Sequence, residues 1–309
     1  MLNTAGKTYD FMKIRIPMII LSLVLTVGSI AAIAVKGFNF ALDFTGGTLV
    51  EVEFAEPPVV SEVREKLQAQ GFSNVIVQRF GTETSLVVRL QQDGDEIGEQ
   101  VVNTLRADGA EVELRRSEYV GSQVGEELRE KGGLALLLAL GGILVYVAMR
   151  FQFKFAISSV IALVHDVIVT LGAFALFQWD FDLTVLAAIL AIIGYSLNDS
   201  IVVFDRIREN FRKIRKMEPL GVVNVSLTQT LARTLVTSGT TLLVTLALFV
   251  FGGEAIHYFA LALLIGVGFG TYSSIYVATA IALMMGASKE DFLLPQKEEG
   301  EGSEADLRP

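Results

Sequence analysis

Asp199 is an ionisable residue set inside an apolar segment. It follows Leu183 to Asn198, an almost wholly apolar stretch, and the apolar run Ile201 to Phe204 lies beyond it. A carboxylate in a membrane span is costly, so it faces a bundle interior or an aqueous cavity and marks an ion path. A helix rises about 1.5 Å per residue, which puts Asp199 roughly 24 Å in from the outer end of its span. By the same measure Arg233 lies roughly 27 Å in from the outer end of the next span. On adjacent antiparallel helices these opposite charges meet at similar depth. Thr237, Thr240, Thr241 and Thr245 follow Arg233 at helical spacing and form a hydroxyl stripe. The chemistry implied is that of a proton or cation carrier, in which relative motion of Asp199 and Arg233 switches protonation.

Plainer roles compete at each position. Arg233 is near enough to the interface to snorkel. The threonines can bond to their own helix backbone, and Asp199 can pair structurally with Asn198 or another span. His165-Asp166, near the middle of the third span, is either a second relay or a packing and hydrogen-bonding element. Gly266 and Gly270 have GxxxG spacing, which suits close helix approach. Asp43, Gly46 and Gly47 lie just beyond the first span. The twin glycines permit a positive-φ turn before a strand, and Asp43 is placed to cap or lock it. A phosphate-cradling loop is not expected there, because no Lys follows and no helix begins.

These residues need a membrane frame, and the composition supplies one. The chain has 309 residues, 52% of them hydrophobic, and a mean hydropathy of +0.53. Soluble domains are about 45–50% apolar, so the excess belongs in long runs. Six runs approach the roughly 20 residues needed to cross hydrocarbon: 16–35, 134–149, 156–177, 183–204, 231–251 and 259–285. The first lacks a usual cleavage site and reads as a retained anchor.

Lys7, Lys13 and Arg15 precede the first span, Arg150 and Lys154 follow the second, and six basic residues from Arg206 to Lys216 follow the fourth. The alternate loops, 178–182 and 252–258, carry no Lys or Arg. Basic residues mark the cytoplasmic side, so both termini are expected inside the cell.

Residues 36–131 have ordinary soluble composition. Strand patterns at 48–54, 75–80, 85–90 and 111–120, with helical patterns at 61–70 and 97–105, give the order βαββαβ. That is the order of a ferredoxin-like α+β sandwich, here inserted between spans one and two on the outer side of the membrane, which is the periplasm if the membrane is a bacterial cytoplasmic one. Residues 123–131 read as a linker helix. Inside the cell, a basic amphipathic segment at 205–219 either lies at the lipid surface or forms a solvated positive-inside loop, and 286–309 is expected to form an acidic tail.

Zero cysteines exclude disulfides and thiol chemistry, and two histidines are too few for a His-rich metal site. No nucleophile–base pair or nucleotide motif stands out, so neither enzymatic activity nor a cofactor is expected. The net charge of −9 comes largely from the extramembrane domain and tail, and implies no nucleic-acid partner.

Three stretches carry a resemblance: Leu42 to Thr48, Gly194 to Asn210, and Leu231 to Thr241. With Ser226 to Thr230, His165-Asp166 and the six-span layout, they closely resemble the SecF branch of the SecD/SecF family of bacterial protein translocase subunits, over essentially the whole chain. The family is related to the resistance-nodulation-division transporters. The resemblance implies pairing with SecD in a twelve-span unit beside the SecYEG channel, often with YajC, in the bacterial cytoplasmic membrane. It also implies use of the proton-motive force to assist late, ATP-independent preprotein movement. H+ is the expected coupling ion, with Na+ the alternative. The family's intramembrane Asp and Arg fall on Asp199 and Arg233, with Thr237 their neighbour. Two other functions remain open on the residues themselves: an ion-coupled small-molecule or lipid exporter of the same superfamily, and a non-conducting scaffold.

Overall fold

The computed structural model describes residues 8–288 and 291, apart from 93, 95, 108 and 215. Lys7, Arg215 and nearly all of the expected tail beyond 288 lie outside the described residues.

A short 3₁₀ turn, Phe11–Ile14, leads into α1 (Arg15–Lys36), which ends at Gly37 with φ +67°. A two-residue strand β1 (Asn39–Phe40) and a single helical turn α2 (Leu42–Thr45) follow. Next come β2 (Gly47–Phe54), α3 (Val60–Ala69), β3 (Ile76–Phe80), β4 (Thr82–Leu90), α4 (Ile97–Arg106) and β5 (Val112–Val120). The sheet order is β3-β4-β2-β5, antiparallel throughout.

Alternation decides the faces. Val50, Val52, Leu86, Val88 and Leu90 point one way and pack on Val63 and Leu67 of α3 and Val101, Val102 and Leu105 of α4. Side chains of a strand alternate between faces, so Leu49, Glu51, Val87 and Arg89 point the other way, across a cleft of roughly 430 Å³ toward Asp180, Asp182 and Tyr258. The gap between the strands expected at 75–80 and 85–90 shrinks to Gly81, with φ +70°, because Thr82 already pairs with Phe80.

The remaining chain is α5 (Ser122–Arg150), α6 (Phe153–Phe177), β6 (Asp180–Phe181), α7 (Leu183–Lys213), α8 (Pro219–Phe251) and α9 (His257–Ser273). A π turn, Ser274–Ala278, carries α9 into α10 (Thr279–Met284). Among the described residues, six helices are long and apolar enough to cross a membrane: Phe11–Lys36, Ser122–Arg150, Phe153–Phe177, Leu183–Lys213, Pro219–Phe251 and His257–Met284.

Two expected boundaries are corrected. The linker helix and the second span are one helix, α5. The segment at 205–219 is no separate surface helix, because α7 runs unbroken to Lys213 and α8 begins at Pro219. The apolar spacing of Ile207 and Phe211 stays in phase with Val203 and Phe204 above them. Ile207 and Phe211 are buried against Met12, Val222 and Val223, so the amphipathic face covers protein rather than lipid. Pro at the first turn of α8 has its φ pre-set for a helix start.

The soluble domain is tied to the start of α7. β1 pairs in parallel with β6. Arg89 on β4 forms a forked ion pair with Asp180, and Asn39 Nδ2 donates to Asp180 Oδ1 at 2.7 Å. Asp182 caps α7 by accepting from Val185 N at 2.8 Å, and burial pushes its carboxyl above the usual range. Asp43, expected to lock its own turn, instead accepts from Leu183 N at 3.0 Å, satisfying one of the free amides at a helix start. Gly46 and Gly47 have φ +66° and +112°, and a Cβ on Gly46 would sit 2.5 Å from Ser122 Cα. Only glycine lets this turn lie against the start of α5.

Candidate functional site

The bundle is uneven. In their most apolar stretches α6 and α7 are 56% buried, whereas α8 is 17% buried. Close approach on the inner side depends on glycine. A Cβ on Gly266 would collide with Ile192, and one on Gly270 would stand 3.3 Å from Ser196 Cβ and 3.6 Å from Asp166 Oδ2. Both glycines of the GxxxG pair therefore face α7.

Asp199 is 5% exposed on α7. Its Oδ1 accepts from Thr234 Oγ1 of α8 at 3.0 Å and its Oδ2 from Ser274 Oγ of the π turn at 2.6 Å. Asn198 is exposed and is not among these partners. Arg233 precedes Thr234 and so matches Asp199 in depth, but its side chain is exposed on α8, and no ion pair joins the two. Thr237 lies on the same open face. Its hydroxyl donates to Arg233 O at 2.9 Å, and Thr240, Thr241 and Thr245 likewise donate to carbonyls four residues back. In this structure the hydroxyl stripe is bonded to its own helix.

Asp166 on α6 is fully buried. Its Oδ1 meets His165 Nδ1 at 2.9 Å, and its Oδ2 accepts from Ser196 Oγ of α7 and Ser273 Oγ of α9, both at 2.6 Å. His165 is 5% exposed, and its Nε2 is buried with no hydrogen-bond partner among the described residues. These hydroxyls tie Asp166 to α7 and α9. Among the described residues no cluster of three His, Asp or Glu is placed to hold a metal ion.

Sequence reasoning missed Thr234, Ser196, Ser273 and Ser274. Thr271-Tyr272-Ser273-Ser274, four consecutive residues with hydroxyls inside an apolar span, was the available signal. Ser238 of α8 accepts from Thr271 at 2.7 Å and from Tyr195 of α7 at 3.0 Å, extending the polar seam by one more layer.

Six apolar helices among the described residues, a βαββαβ domain between the first and second, and buried carboxylates held across helices define a multi-pass membrane protein with ionisable groups inside its bundle. Residues 100–288 match the model described as protein export membrane protein SecD/SecF, C-terminal, and residues 31–58 match the SecD/SecF GG motif. The chain is 50% identical to protein translocase subunit SecF of Vibrio alginolyticus, covering 99% of this chain and 98% of that one. It is 48% identical to the subunit of the same name from Pseudomonas aeruginosa, over 96% and 97% of the two chains. The crystal structure of SecDF, a translocon-associated membrane protein from Thermus thermophilus, superposes with a TM-score of 0.84 at 37% identity. That match covers 93% of this chain but 40% of the SecDF chain. The chain belongs to the SecF family, the accessory subunits of the Sec protein translocase.

Proposed function

We propose that this chain is one half of a proton-driven machine that assists late, ATP-independent export of preproteins through the SecYEG channel. SecD is the other half, and YajC is an associated component. The protein sits in the bacterial cytoplasmic membrane with both termini inside. Its βαββαβ unit, whose sheet order suits a ferredoxin-like sandwich, stands in the periplasm. H+ is the coupling ion, with Na+ as the alternative that ion substitution tests.

One observation carries the reading. Asp199 is buried in a completed inner seam, yet the neighbouring helix α8 leaves Arg233 and Thr237 on an open face. A second six-span half seated there would bring a moving wall past the carboxylate. The similarity to SecDF, of which this chain covers 40%, supports a partner of that kind. Each charge crossing 100 mV carries about 2.3 kcal/mol, enough to bias a two-state domain swing roughly fiftyfold. The Asp43, Arg89 and Asp180 contacts at the start of α7 offer a path from that helix to the soluble domain.

Reconstitution tests this. The chain alone in proteoliposomes should insert and give no proton flux, and co-reconstitution with a SecD-type partner should produce flux together with gradient-dependent export. Flux from the chain alone, or export assistance that ignores a collapsed gradient, would overturn the proposal.

A further inference from the structure

Four consecutive residues, the last three of α9 and the first of the π turn, reach four different helices. Thr271 Oγ1 donates to Ser238 of α8 at 2.7 Å, and Tyr272 Oη donates to Met18 O of α1 at 2.6 Å. Ser273 Oγ donates to Asp166 of α6 and Ser274 Oγ to Asp199 of α7, both at 2.6 Å. Successive helical residues point about 100° apart, so one turn sweeps all the neighbours of a central helix. The helix then changes hydrogen-bond register, because the π turn begins at Ser274. Such single π turns inside helices occur frequently at functional sites.

The two serines have a second seat. Ser273 Oγ also lies 3.1 Å from Gly270 O, and Ser274 Oγ lies 3.0 Å from Thr271 O. An ionised carboxylate only accepts, whereas a protonated one carries its own donor. When a proton from water adds to Oδ2 of Asp199, the new O–H can point at Ser274 Oγ; on Oδ2 of Asp166, which accepts from both Ser196 and Ser273, it can point at Ser273 Oγ. The serine hydrogen then turns to its backbone carbonyl, so every hydrogen keeps an acceptor. Because the two serines are neighbours at the π turn, one rotor's change is felt by the other. His165 Nε2, on the Asp166 side, is buried with no hydrogen-bond partner among the described residues.

We propose that Asp166 with His165 is a second proton-binding site, yoked to Asp199 by the positioning residues Ser273 and Ser274 at the π turn. The other titratable groups facing the pair are Tyr272, whose ring centroid is 6.4 Å from that of His165, Tyr276 beside Tyr272, and Arg233, whose charge acts on Asp199. From α7 the groups are the neutral Ser196 and, one layer away, Tyr195, while α1 contributes Ser22. The inference rests on the proton-coupled reading above, and the test separates the two.

The complex with a SecD-type partner is reconstituted, and proton flux is measured against pH for the wild type, Ser273→Ala, Asp166→Asn and the double variant. The infrared carbonyl band of protonated Asp199, assigned with Asp199→Asn, is recorded for each. Ser273 touches Asp166 and not Asp199, yet Ser273→Ala should move the flux midpoint by about one pH unit, the scale of coupled titration, and shift the Asp199 band. Asp166→Asn should also move the midpoint, and Ser273→Ala should add nothing to it. Should Ser273→Ala fail to assemble, the near-isosteric Asp166→Asn decides alone. An unchanged midpoint and an unchanged Asp199 band, with only the amplitude reduced, would overturn the yoke. No flux in the wild-type complex would instead overturn the underlying proton-coupled reading.

Discussion

The inner seam of α6, α7 and α9 and the outer face of α8 are built from similar residues and use them differently. In the seam, hydroxyls of Ser196, Ser273 and Ser274 reach across to carboxylates on other helices. On the outer face, hydroxyls of Thr237, Thr240 and Thr241 turn back to their own helix. A hydroxyl in hydrocarbon must find a partner, so the backbone bonds on α8 are what remains when no other helix is present. The seam is closed, and the α8 face is open. Thr234, with its hydroxyl on Asp199, is where the two regions join.

The largest effect should come from cutting at that join. Asp199→Asn preserves size, exchanges one of the two accepting oxygens for an NH2 donor, and carries no titratable proton. It should insert and bind its partner while losing all gradient-dependent stimulation of export, measured in inverted vesicles. Normal stimulation would mean that the seam is only structural.

Arg233 comes next. Lys keeps the charge and loses the planar fork, so Arg233→Lys should impair coupling in part and Arg233→Leu severely. Full activity with Lys would reduce this residue to an interfacial anchor.

Paired glycine substitutions sharpen the contrast further. Gly266→Leu drives a side chain into Ile192 and should destabilise the isolated chain by about 1–3 kcal/mol, read as a lower melting temperature in detergent. Gly239 on α8 has open space where its Cβ would lie. Gly239→Leu should leave the isolated chain unchanged and weaken co-purification with a SecD-type partner. If Gly239→Leu destabilised the isolated chain as well, the α8 face would not be open.

The smallest effect is expected at Thr237. Thr237→Val removes a hydroxyl that serves only its own helix in this chain, so isolated-chain stability should move by no more than about 0.5 kcal/mol. Any larger loss would place Thr237 in the seam.

What the sequence disclosed depended on whether a pattern was local. The βαββαβ order was readable because alternation in Val50 and Val52, and helical spacing in Val101, Val102 and Leu105, are properties of single elements. Asp199 and His165-Asp166 stood out because charge in an apolar run is conspicuous. Their partners did not, since a lone serine in an apolar helix bonds its own backbone as readily as a neighbour. Which of the two occurs depends on helix packing. The stretch from Asp205 to Lys213 misled for a different reason. Its basic residues mark where lipid headgroups begin, but nothing between Leu183 and Lys213 breaks the helix, so α7 continues through that level. Asp43 was read with its own turn because Leu183, whose amide it holds, lies 140 positions away.

That last separation imposes a timetable on synthesis. The four strands of the soluble domain fall within residues 47–120, so the sheet can close as soon as this stretch has emerged. Its latches on the membrane part, Asp180 and Leu183, are made much later. Until the ribosome has passed that point, the folded domain hangs from the first and second spans with Arg89 and Asp43 unengaged. Entry of the fourth span into the bilayer then supplies both latches at once. Docking of the domain therefore waits for the start of α7, the helix that bears Asp199.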